Sequence, residues 1–106
     1  MNKKNSDRHA EYYEAIIQLR PAKQEVIDFI YDLIGPRNDV KVSKVKEMKT
    51  GIDIYLSNQR FARGTLAKQI KKKFNNCKIV ISKALYGQHK MTSKLTYRAT
   101  VLVRFE

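Results

Sequence analysis

The chain has 106 residues, with 22 Lys and Arg against 10 Asp and Glu, a net charge of +12 and a pI near 10.0. That length holds one hydrophobic core and not two. No apolar run reaches the roughly 18 residues of a membrane helix, and residues 1–9 are polar with no apolar stretch behind their lysines, so a cytoplasmic protein without span or signal peptide is expected.

Residues 1–9 lack periodicity and read as a disordered lead, with a single α+β domain over 10–106. Residues 11–20 alternate, with Tyr13, Ala15, Ile17 and Leu19 on one face, which predicts a first strand. Pro21 suits a first helical position, and Val26, Ile27, Ile30, Leu33 and Ile34 recur at helical spacing until Gly35 and Pro36 stop the helix. Residues 40–49 alternate with a slip of phase near Lys44, which predicts a second strand containing a bulge or starting late. Thr50 and Gly51 turn the chain into a third, antiparallel strand carrying Ile52, Ile54 and Leu56.

Ser57 or Asn58 can cap a second helix, in which Ala62, Leu66, Ile70 and Phe74 repeat every four residues before Asn75 and Asn76 end it. A fourth strand over 77–84, a polar loop over 86–94 and a fifth strand over 95–105 complete the chain. Two helices with apolar stripes and a sheet with one mainly apolar face predict a two-layer α+β sandwich. Right-handed crossovers favour a ferredoxin-like β-α-β-β-α-β core, with the fifth strand added as a hairpin at an edge.

Charge is unevenly spread. Residues 1–40 carry six basic and seven acidic side chains, whereas residues 41–106 carry sixteen and three, a local net of +13. A field of that size favours a polyanion through counterion release. The second helix contributes Arg60, Arg63, Lys68, Lys71, Lys72 and Lys73 without an acid. Helical geometry turns Arg60, Lys68, Lys71 and Lys72 away from the Leu66 and Ile70 stripe, which Arg63 and Lys73 flank. Like charges such as Lys68 and Lys72 destabilise an isolated helix, so phosphates are the natural counterpart of this face.

Gly64 is either a point of close backbone approach or a loosely formed first turn. Around the last hairpin lie Lys83, His89, Lys90, Lys94 and Arg98, set either as an arm for a nucleic-acid groove or as an ordinary solvated loop. The expected phosphate contacts are Arg60, Arg63, Lys68, Lys71, Lys72, Lys83, Lys90, Lys94 and Arg98.

Signals for catalysis are weak. His9 and His89 fall in the lead and in a loop, no carboxylate pair sits beside a nucleophile, and no phosphate-cradling glycine loop is present. A non-catalytic chain without metal or cofactor is expected. Cys77, the only cysteine, reads as a buried strand residue and Asp53 as a structural carboxylate, while Tyr12 and Tyr55 on the outer sheet face either rim the core or could stack on unpaired bases.

The series EAIIQLR at 14–20, GIDIYLS at 51–57 and FARGTLAKQI at 61–70 resembles the nonsense-mediated decay protein three family, the large-subunit export adaptors, and especially its archaeal members. The resembling segment lies just after that family's zinc-binding region. It implies a protein bound to the large ribosomal subunit during late assembly, working with assembly factors rather than catalysing a reaction. Archaea have no nucleus, so subunit binding alone carries over to such a member. The paired CxxC motifs expected upstream have no counterpart in the nine polar residues before Ala10, so zinc binding does not carry over, and the chain is expected to be a middle domain or a reduced relative.

Three partner classes therefore stand. Ribosomal RNA on the large subunit leads; duplex DNA, as in a chromatin-type binder, is second. A ribosomal protein or assembly factor docking on Tyr12, Ile16 and an exposed sheet edge is third.

Overall fold

The structure is a computed structural model in which residues 12–89 and 94–105 are described. Five strands form one mixed sheet: β1 (Ala15–Arg20), β2 (Val42–Met48), β3 (Gly51–Leu56), β4 (Cys77–His89) and β5 (Lys94–Phe105). Helix α1 (Gln24–Ile34) follows β1. After β3 the chain makes a π-helical segment, Phe61–Leu66, that runs directly into α2 (Ala67–Lys73).

The α+β class holds, but the strand order departs from the ferredoxin-like expectation. The sheet reads β2-β3-β1-β5-β4. Strand β5 lies parallel to β1 and antiparallel to β4, so the last strand is inserted beside β1 and β4 is left at the edge. A ferredoxin-like core would have placed β4 against β1. The physical basis is visible along the strands: Val101 and Val103 of β5 are fully buried, whereas β4 carries Lys78, a 47% exposed Val80 and Lys83, the composition of an edge.

One face of the sheet carries the core. Ala15, Ile17 and Leu19 of β1, Ile54 and Leu56 of β3 and Ala99, Val101 and Val103 of β5 pack against Val26 and Ile30 of α1 and Leu66 and Ile70 of the second helix. Phe74 joins the layers, edge-on to Phe29 at 5.4 Å and to Phe105 at 6.1 Å between ring centroids. The phase slip in β2 is real. Its register with β3 shifts between Val42 and Lys44, and the Ser43 hydroxyl, freed from the ladder, donates to the Tyr12 carbonyl. The last hairpin is longer than expected. Pairing continues to His89 opposite Lys94 with one irregularity between Leu85 and Gly87, so most of the expected 86–94 loop is strand. The expected disordered lead lies outside the described residues.

One buried ion pair holds the far sheet face. Asp53 is 6% exposed and accepts a 2.7 Å bond from the Arg20 guanidinium, whose other nitrogen donates to the carbonyls of Leu19 and Ile52. This fixes β1 to β3 and bears out the structural role of Asp53. Gly51 sits where a Cβ would lie 2.0 Å from the Leu19 carbonyl oxygen, so only glycine lets the two strands approach there. Tyr55 lies on the sheet face opposite the helices, as its alternation with Ile52 and Ile54 predicts, edge-on to Tyr13 at 4.8 Å with the Lys44 ammonium over its ring. Tyr12 is exposed, and its hydroxyl donates to Glu14.

Candidate nucleic-acid interface

The second helix is started by two side chains. Asn58 Oδ1 accepts the Phe61 amide at 3.1 Å, and Glu14, reaching from the residue before β1, accepts the Gln59 amide at 3.0 Å. A carboxylate at this end also suits the positive end of the helix dipole. A four-residue apolar repeat drifts around an ideal α-helix, since four residues overshoot a 3.6-residue turn. The π-helical segment widens its turn and absorbs that drift. Ala62, Leu66 and Ile70 are therefore all fully buried. The cations between them are held on the outer side.

Arg60, Lys68, Lys71 and Lys72 are exposed, and Arg63 is half-buried with its Nε donating to Gln59 at 2.8 Å. Among the described residues the ion pairs are Arg20 with Asp53 and Arg37 with Asp39, so no acid neutralises a cation of this helix. The acids of the helix layer sit instead on α1, where Glu25, Asp28 and Asp32 are exposed. The layer is thereby split into an acidic helix and a basic one. In the exposed pair at its boundary, the hydrogen bond from Arg37 holds the Asp39 carboxyl below its ordinary value of 3.8 and raises the Arg37 guanidinium.

The nine expected contacts do not form one cluster. Arg63, Lys68 and Lys71 converge on a groove of about 650 Å³ between the second helix and β4, whose floor is Ala67, Cys77, Ile79 and Ile81. Lys71 also donates to the Cys77 carbonyl. Arg60 and Lys72 lie on the same helix outside the groove lining. Lys83 shares the helix-side face of β4 with Ile79 and Ile81, and its ammonium sits 4.7 Å from the Tyr97 ring centre. Arg98 is brought elsewhere. It lies on the opposite sheet face, stacked 4.0 Å from the Tyr13 ring centre with Nε donating to the Tyr13 carbonyl at 3.3 Å. Lys94 is described through its backbone as the first residue of β5, and Lys90 lies outside the described residues.

Two features of the surface escaped the sequence reading. Lys78 lines the same groove, although strand alternation sends its side chain to the far face. Lys73 folds toward α1, with its ammonium 5.8 Å from the Phe29 ring centre. Gly64 is settled as regards the protein itself: a Cβ there would meet nothing within 4 Å, so no neighbouring backbone requires glycine. Cys77 is buried, and its thiol donates to the Phe74 carbonyl, which is a structural role.

No curated protein matches the chain. A family model described as the second domain of NMD3 matches residues 12–105, a span that takes in β1, the whole basic helix and the β4–β5 hairpin. The three motifs at 14–20, 51–57 and 61–70 all fall inside that span, and the chain belongs to the NMD3 family through this second domain.

Proposed function

We propose that the chain is a non-catalytic module that binds the large ribosomal subunit by laying its basic second helix and the adjoining hairpin against ribosomal RNA. One observation carries the reading. Residues 59–73 hold six cations and no acid, and among the described residues none of those six is ion-paired. A solvated helix gains by mixing signs at i, i+4, and this one forgoes that gain. Phosphates supply the missing anions and release their counterions on contact. Membership of a family associated with the large subunit supports the same partner.

Arg60, Arg63, Lys68, Lys71 and Lys72 are the leading phosphate contacts, with Lys83, Lys90 and Lys94 as further ones. Arg98 makes a second, separate contact on the far face or serves only to hold Tyr13. Recognition is of backbone and shape, since flexible lysines read charge and not base identity. Work beside assembly factors and a cytoplasmic location belong to the same proposal.

The test is co-sedimentation of the chain with isolated large and small subunits, before and after nuclease treatment. The proposal expects large-subunit binding that disappears with the RNA. Equal binding to duplex DNA at the same salt concentration would favour a general nucleic-acid binder instead.

A further inference from the structure

We propose that the groove between α2 and the outer edge of β4 receives an extended, acidic segment of a protein partner, which joins the sheet as a sixth strand beside β4. This goes beyond RNA binding, because it uses the backbone of an edge strand, which phosphates have no geometry to pair with.

The edge is open in a defined register. On β5 the Ala99 amide donates to the Glu14 carbonyl beside β1, so by strand alternation Val101 and Val103 also turn their backbone groups toward β1. Their partners across the other ladder are Ile81 and Ile79. These pairs exchange no hydrogen bonds, and the N–H and C=O of Ile79, Ile81 and Lys83 point out from the sheet. Lys71 marks that direction by donating to the outward carbonyl of Cys77, two residues earlier. From Cys77 to Leu85 the strand is regular, with no bulge to spoil pairing. The opposite edge, β2, is blunted by its bulge at Ser43 and by Lys44, Lys46 and Lys49.

Side chains fit the same occupant. The residues whose backbone faces outward also send Ile79 and Ile81 to the groove floor, and Ile81 is 44% exposed. Arg63, Lys68 and Lys71 stand over that floor from the helix. A strand laid here would present alternate side chains to an apolar floor beneath cations, which is the recognition mode of strand addition in a strand–helix groove. Charge selects the partner. No acid lines the groove, so the added strand must bring its own. A second copy of this chain would set its Lys78 and Lys83 against Lys68 and Lys71 and is repelled. An unpaired base would find no aromatic ring to stack on in this groove.

The experiment uses the 106-residue chain and a fluorescein-labelled decapeptide alternating valine and glutamate. The expected result is saturable binding, with amide hydrogen-exchange protection at Ile79, Ile81 and Lys83. Ile81→Pro deletes one outward N–H and no ladder bond, a position where an edge strand tolerates proline. It should weaken the peptide at least tenfold and leave ribosomal RNA affinity unchanged. Ile81→Ser keeps the N–H and removes only the floor, with a smaller loss expected; it serves as the test should the proline variant melt early.

The proposal is overturned by absence of binding or by unprotected amides at those three residues. Equal affinity for a valine–lysine peptide, or a serine variant that binds as tightly as the parent, overturns it as well. Protection of the same amides by a ribosomal RNA fragment that displaces the peptide would assign the groove to RNA. Because the peptide is titrated alone, failure of the chain to bind ribosomal RNA leaves this readout intact.

Discussion

Arg20 and Asp53 allow the sharpest stability prediction, because the two ends of their ion pair are unequally supported. Removing one partner of a buried pair costs about 3–5 kcal/mol. The Arg20 side chain keeps 19% exposure and two backbone carbonyl partners, whereas Asp53 keeps 9% and loses the guanidinium it pairs with when Arg20 goes. Asp53→Asn should therefore destabilise by about 2–3 kcal/mol, below that range because the guanidinium stays partly solvated and bonded. Arg20→Met should cost about 4–5 kcal/mol, since it strands a carboxylate and strips the donor from the carbonyls of Leu19 and Ile52. Replacing both, as Arg20→Met with Asp53→Leu, should fall well short of the sum, since apolar substitutes for a whole buried pair are often neutral. Urea unfolding of these variants, with Asp53→Leu alone to close the cycle, measures each loss and the coupling energy. Additive losses, or an arginine variant less costly than the asparagine one, would refute the reasoning.

Two glycines should respond with opposite signs. Gly51→Ala drives a Cβ into the Leu19 carbonyl and should cost several kcal/mol in urea unfolding, in the same direction as about 1–3 kcal/mol for ordinary overpacking and beyond it. Gly64→Ala meets nothing within 4 Å and has no left-handed backbone to violate, so the melting curve should show a gain of about 0.4–1 kcal/mol. If that variant nonetheless binds ribosomal RNA more weakly, Gly64 lies where the nucleic-acid backbone comes close. Arg37 and Asp39 give a small pH effect. Because the Asp39 carboxyl is held below its ordinary value in the folded chain, the pair stabilises above pH 4 and its contribution is lost as the pH falls through the lowered value. Asp39→Asn should remove that loss, so that the melting temperature falls less steeply with acid below about pH 4 than in the parent.

Much of this architecture is legible in local pattern, because patterns report faces. The alternation of Val101 and Val103, the stop at Gly35 and Pro36, and the phase slip beside Ser43 each fix an element without knowledge of its neighbours. Strand order is another matter. Alternation in β5 is the same whether its partner is β1 or an edge, and only the lysines and exposed valine of β4 hint at which strand is outermost. The four-residue spacing of Ala62, Leu66 and Ile70 carried a signal that an ideal α-helix could not accommodate, and the π-helical segment is its structural answer.

Among the candidate contacts, net charge singled out one helix but not the sharing of its cations between groove and solvent. That division depends on the short return from Lys73 to Cys77, which sets β4 beside the helix. Arg98 reads on sequence as part of the same hairpin surface, and only the parity of β5 places it across the sheet. The partner of Asp53 is 33 residues distant in the chain, beyond any local pattern.

The most direct measurement is the salt dependence of binding to large-subunit ribosomal RNA, for the parent chain and for the triple variant Lys68→Gln, Lys71→Gln and Lys72→Gln. Each phosphate contact contributes a slope of about −0.7 to −0.9 in log K against log salt. The basic-helix account predicts a steep slope for the parent that flattens by about 2–3 in the variant, with the melting temperature little changed. A slope equal in both proteins would contradict it, as would an affinity indifferent to salt.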